Sequence, residues 1–182
     1  MRNTFKLLFF SFILSASSSS AQNWLPYSNP QSQVEFELPT TAMVVDSLVT
    51  LHTILYSSEV DSILALQVHV FDSAYLNADE ELFAVALQEN DGNELRAIAQ
   101  IFLMATNSEL ISLQEITNNL GYPGIEIGID YQTLEADYPA VSFIQYFLVN
   151  NKFVAFSISG SEDDMPRLLS YKDQFFTSIN FY

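Results

Sequence analysis

The pattern of apolar and polar positions is most distinctive in Ala140 to Gly160, AVSFIQYFLVNNKFVAFSISG, where two apolar, aromatic and β-branched runs flank an asparagine pair. In a strand, residues two apart share a face. Asn150-Asn151 lies near the centre of the run. Asparagine tolerates the positive φ that a two-residue hairpin turn demands. A turn there pairs Phe147 with Val154, Gln145 with Phe156 and Phe143 with Ile158. One face then carries Val141, Phe143, Phe147, Val154, Phe156 and Ile158. The other carries Ile144, Tyr146, Leu148, Phe153 and Ala155. Both faces are largely apolar, so the hairpin is expected in the middle of a sheet that is covered at least partly on both sides.

Alternation of apolar and polar positions marks other strands, strictly so in VEFEL and IEIGIDY. Gln22 to Gln33 reads as an extended lead-in, and Val34 to Leu38 (VEFEL) as a strand that ends at Pro39. Met43 to Tyr56 reads as a second strand and Ile63 to Phe71 as a third. The polar turn Ser57 to Asp61 would join them as an antiparallel hairpin. Leu110 to Thr117 is a fourth. In Ile125 to Tyr131 (IEIGIDY), Ile125, Ile127, Ile129 and Tyr131 are expected to point in, and Glu126 and Asp130 out. Gly128, on the outer face, calls for a close neighbour or a bulge.

Helical spacing replaces alternation at Glu81 to Asn90, at Glu94 to Ala105 and after Ser161. Asp91-Gly92 separates the first two, with Asn93 as a cap; one bent helix is the alternative. Leu95, Ile98, Phe102 and Ala105 form the expected buried stripe of the second. Leu168, Leu169, Tyr171, Phe175 and Phe176 form the apolar side of the last, and Thr177 to Tyr182 is a short tail. The order is three strands, one or two helices, four strands and a helix. That defines an α+β domain: a mostly antiparallel sheet of six or seven strands with helices packed on it.

The first 21 residues stand apart. Arg2 and Lys6 precede the apolar run Leu7 to Leu14, and a Ser-rich stretch ends in Ser19-Ser20-Ala21. This is the layout of a secretory signal peptide cleaved after Ala21. An uncleaved anchor is the rival reading, but about 20 apolar residues are needed to span a bilayer. The expected mature chain is a single domain, 22–182, periplasmic or secreted. Without Arg2 and Lys6 it keeps four basic residues against 22 acidic ones, a net charge of −18. Nucleic acid is excluded as a partner, because its phosphates need basic patches. No later segment is long and apolar enough to span a membrane. The chain has no cysteine, so disulfides, thiolate metal sites and a Cys nucleophile are excluded.

A Trp and a Tyr ahead of VEFELP, three strands, a central helical stretch, GYPGIEIGIDY, a late hairpin and a final helix ending in FFTSINFY together resemble the Mog1/PsbP-like α/β/α sandwich. The similarity is to its small exported bacterial members and covers Trp24 to Phe181. It rests on the glycines before an outgoing strand (Gly121, Gly124) and on Phe176, Ser178 and Phe181 near the end. Members of that group act as binding or assembly factors. The resemblance therefore implies a non-enzymatic module, and it carries over no site residues.

His52 and His69 are the only histidines. A turn centred near Val60 would place them opposite or diagonal to one another on one sheet face, with Thr50 and Gln67. Cross-strand neighbours can share a zinc or copper ion with a carboxylate. A polar patch explains them equally, and no H-E-x-x-H supports a metal. The acidic clusters Asp79-Glu80-Glu81 and Glu162-Asp163-Asp164 lack a calcium-loop pattern and answer helix dipoles. Glu126 and Asp130 share a strand face and could serve as a carboxylate pair of a hydrolase. G-x-S-x-G, P-loop and G-x-G-x-x-G motifs are absent. The sequence thus predicts an exported binding or interaction module for an unknown protein or small molecule, with no cofactor. A metal site on His52 and His69 is the first alternative, and a hydrolase the second.

Overall fold

The structure is a computed structural model that describes residues 23–30, 32–39, 43–48, 53–60, 64–72, 80–131, 141–150 and 152–182; within 43–65 and at 71, 72 and 80 the description is of backbone. The signal segment, His52, Asn77, Asn151 and the loop 132–139 lie outside the described residues.

Strands β1 (Leu25–Asn29) and β2 (Val34–Leu38) open the fold, followed by β3 (Met43–Leu48), β4 (Thr53–Val60) and β5 (Leu64–Asp72). Helices α1 (Glu80–Glu89) and α2 (Glu94–Thr106) come next. Then follow β6 (Glu109–Thr117), β7 (Pro123–Asp130), β8 (Val141–Val149), β9 (Lys152–Gly160), a 3-10 turn, α3 (Met165–Ser178) and β10 (Asn180–Phe181). Seven strands form one antiparallel sheet in the order β3-β4-β5-β9-β8-β7-β6. Three form a second sheet, β1-β2-β10.

The late hairpin is β8–β9 and lies inside the large sheet. Asn150 takes a φ of +52°, and Phe147 pairs with Val154, Gln145 with Phe156 and Phe143 with Ile158, in the expected register. Its two faces enter two separate cores. Val141, Phe143, Phe147, Val154, Phe156 and Ile158 pack with α3 and β2, through Leu168, Phe175, Val34 and Phe36. Ile144, Tyr146, Phe153 and Ala155 pack with α2 and β7, through Leu95, Ile98, Ile125 and Ile127. The sheet is therefore sandwiched. Phe156, fully buried, meets the rings of Phe36, Phe147, Phe175 and Phe181 edge to face, with centroids 5.9 to 6.3 Å away.

The expected second strand is two strands, β3 and β4, and β4 continues through Ser57, Ser58 and Glu59 to Val60. Polar residues extend it because its backbone pairs on both sides, with β3 and β5. Part of the lead-in is a strand, β1, because β2 offers it a full partner. The final tail holds β10, which pairs with β2 through Asn180–Glu35 and Phe181–Val34.

Local rules account for the helices. Asp91 and Gly92 adopt φ of +53° and +79°, which ends α1, so there are two helices and not one bent one. The Asn93 side chain accepts from the Arg96 amide at 3.1 Å and caps α2. Leu95 and Ile98 are buried as expected, whereas Ala105 is exposed on the last turn. Ser161 caps the 3-10 turn ahead of α3 and accepts from the Asp163 amide at 3.3 Å. Gly128 faces the ring of its cross-strand partner Phe143, and a Cβ there would lie 3.0 Å from Phe143 Cε1 and 2.6 Å from Ser112 Oγ. Gly124 lies against Phe147 in the same way. Each glycine leaves room for a phenylalanine ring to lie across the strand.

Candidate functional site

The helices cover the middle of the large sheet and leave the β6 margin bare. Helix α2 packs on β7 and β8, and α3 on β9 and β2. Strand β6 pairs with β7 on one side, and among the described residues no strand pairs with its other side. All its residues except Ile116 are exposed. Leu110 is 45% exposed, Ile111 53% and Leu113 38%. The register with β7 shifts between Leu110 and Ser112, then runs without interruption from Ser112–Gly128 to Thr117–Pro123.

A shallow cleft of about 200 Å³ lies at the α2 end of this margin, walled by Asn93, Leu95, Glu115, Thr117 and Pro123. Arg96 reaches across to Glu115 at 2.7 Å, with both side chains well exposed. An exposed pair of this kind adds little stability. The turn from β6 to β7 is held firmly: Asn118 Oδ1 accepts from the amides of Leu120 and Tyr122. Asn119 donates to Phe181 O at 2.7 Å and accepts from the Phe181 amide at 2.9 Å. A second cleft, of about 280 Å³, lies on the small sheet beside Tyr27, Glu35, Glu37 and Ser178.

His69 lies half-buried on the face of β5 that looks toward α1 and α2, opposite Ala155. Its Nε2 is 3.3 Å from Gln67 Oε1. Leu55 stands opposite His69 and Ser57 opposite Gln67, so the register lies three residues further along β4 than the expected pairing with position 52. The extension of β4 to Val60 causes that shift. His52 itself is outside the described residues. Among the described residues, no group of three His, Asp or Glu side chains is placed to hold a metal.

Burial holds the His69 imidazole below its ordinary value of 6.5. The unfolded chain therefore takes up this proton first as the pH falls. Stability from the neutral ring is complete above 6.5 and is lost on acidification below it. Urea melts from neutral pH to about pH 5.5 should show wild type losing stability relative to His69→Gln. Parallel stability curves would show that the ring does not titrate differently in the folded state.

Glu126 does not stand in water, as alternation alone suggested. Helix α3 covers it. Its carboxylate is 2.5 Å from Lys172 Nζ and accepts from Gln145 Nε2 at 2.7 Å. Lys172 Nζ also sits 4.8 Å from the centroid of Phe143. Asp130 lies four residues on, about 13 Å along the strand, beyond the roughly 5–9.5 Å that separates glycosidase carboxylates. The acids of Glu162 to Asp164 occupy the 3-10 turn, and Arg167 lies 3.7 Å from Asp164.

A seven-stranded antiparallel sheet with helices on both faces and a small sheet of β1, β2 and β10 defines an α/β/α sandwich. It is a PsbP-like fold. The solution structure of cyanobacterial PsbP (CyanoP) from Synechocystis sp. PCC 6803 superposes with a TM-score of 0.60 at 14% identity, covering 93% of this chain and 99% of that one. PA94 from Pseudomonas aeruginosa, a protein of unknown function, matches at a TM-score of 0.42 and 10% identity, over 83% of this chain and 92% of its own. No protein-family model and no curated protein matches the sequence.

The β6 margin was not singled out from the sequence. Its signal was there: Leu110 and Ile111 are adjacent apolar residues, so the run breaks the two-residue alternation of a half-buried strand.

Proposed function

We propose that the chain is an exported, non-enzymatic binding module whose partner is a protein. The observation that carries this reading is the bare β6 margin, where three large apolar side chains face solvent on a strand left uncovered by the helices. An uncovered edge invites pairing with another chain, and an apolar one more so. The PsbP-like fold does not decide the function, since fold and interaction surface are separable properties. Two clefts on the described surface, at about 200 and 280 Å³, fall below the roughly 300–1,000 Å³ typical of small-molecule sites.

The test is retention of a partner from the envelope fraction of the source cell by the immobilised 22–182 chain, together with metal analysis of that chain. A saturable protein partner and substoichiometric metal are expected. One bound zinc or copper per chain, lost in His69→Gln, would instead support the alternative built on His52 and His69.

A further inference from the structure

We propose that β6 accepts an eighth strand for the large sheet from its partner: an extended segment in which apolar and basic residues alternate. This rests on the binding-module reading and specifies how the partner binds.

Three observations converge on strand addition. The outer edge of β6 has no strand partner among the described residues, so about half of its N–H and C=O groups point to the side. The stretch from Ser112 to Thr117 is in regular register with β7, which gives an incoming strand a straight template. Natural sheets blunt such edges with charged side chains, above all lysine, with proline or with bulges. Strand β6 contains neither lysine nor proline, and its one irregularity lies at the Leu110 end. An added strand would gain main-chain hydrogen bonds, with specificity from its alternate side chains. The cleft beside Glu115 has the scale of one such side chain.

Charge selects the occupant. Glu109 and Glu115 are the charged residues of β6, and no lysine or arginine occurs between Arg96 and Lys152. A basic segment would meet acids along the margin, and its residue near Glu115 could replace the exposed Arg96 contact. A second copy of this chain would instead bring another excess of acid and the same two glutamates. Complementary potential favours the basic partner.

The experiment titrates isotope-labelled 22–182 chain with a synthetic peptide of alternating valine and lysine as long as β6. A valine–glutamate peptide of the same length is the control. Expected are saturable binding of the lysine peptide, hydrogen-exchange protection that appears at β6 amides, and at least about tenfold weaker binding by Ile111→Lys/Leu113→Lys. Both substituted positions are exposed, so the variant keeps its fold, as circular dichroism would verify. Equal binding of the two peptides, or protection elsewhere than β6, would overturn the proposal. So would a dimer abolished by the double substitution, because the edge would then belong to a second copy. The two levels fail separately. An envelope partner held equally well by wild type and the double variant sinks strand addition and leaves the binding module standing. No partner on wild type sinks the binding module itself.

Discussion

Phe156→Ala should destabilise the domain by about 3–5 kcal/mol. The side chain is fully buried on β9 at the meeting point of four other rings, Phe36 from β2, Phe147 from β8, Phe175 from α3 and Phe181 from β10. These come from four separate elements, so no single neighbour can swing in to fill the space. The loss combines the transfer free energy of the ring with a cavity and with four edge-to-face contacts. Domains of this size are stable by roughly 5–15 kcal/mol, so the variant sits near the limit of folding. Phe156→Leu should cost much less, because most of the volume is kept. Urea unfolding followed by far-ultraviolet circular dichroism measures both. A Phe156→Ala cost below about 1 kcal/mol would mean that the five rings do not form one packed unit.

Lys172→Met is expected to cost about 2–3 kcal/mol, and Lys172→Met combined with Glu126→Met to recover most of it. The lysine and glutamate side chains are 19% and 15% exposed, so each charge is largely withdrawn from water. Removing one partner leaves the Glu126 carboxylate under α3 with Gln145 as its remaining neighbour. The strong dependence on context is what separates this pair from a surface pair, where either single change would cost well under 1 kcal/mol. The cost falls below the 3–5 kcal/mol of fully buried pairs because some solvent remains. A double-mutant cycle by urea melts measures the coupling. A coupling near zero would place the pair in effective contact with water.

These residues also show what a sequence can and cannot display. The β8–β9 hairpin was legible down to its register because an asparagine pair sets the turn, and the position of the turn sets the pairing and the faces of the two apolar runs beside it. The Asn93 cap and the break at Asp91-Gly92 were legible for the same reason. Features that depend on distant chain were not. The outward face of β7 reads as solvent-facing, since nothing near Glu126 announces that Lys172 will arrive from α3. The β4–β5 register was displaced because polar residues at 57–59 resemble a turn, whereas pairing on both sides keeps them in the strand. Strand β10 has two residues, too few for any periodicity, and exists because β2 and Asn119 supply its partners. The β6 margin needed the sheet order, which local pattern does not contain.

The pairing of Val34 with Phe181 has a consequence for the timing of folding. A chain delivered from its N-terminus, by synthesis or by passage through a membrane, presents β2 early and β10 after every other described strand. Until residue 181 emerges, Asn119 lacks its main-chain partner and the rings of Phe147 and Phe156 lack a wall. Loop closure between β2 and β10 comes before the contacts that reward it, as in other folds rich in distant contacts. The small sheet thus acts as a clasp that stays open until β10 has emerged to meet β2.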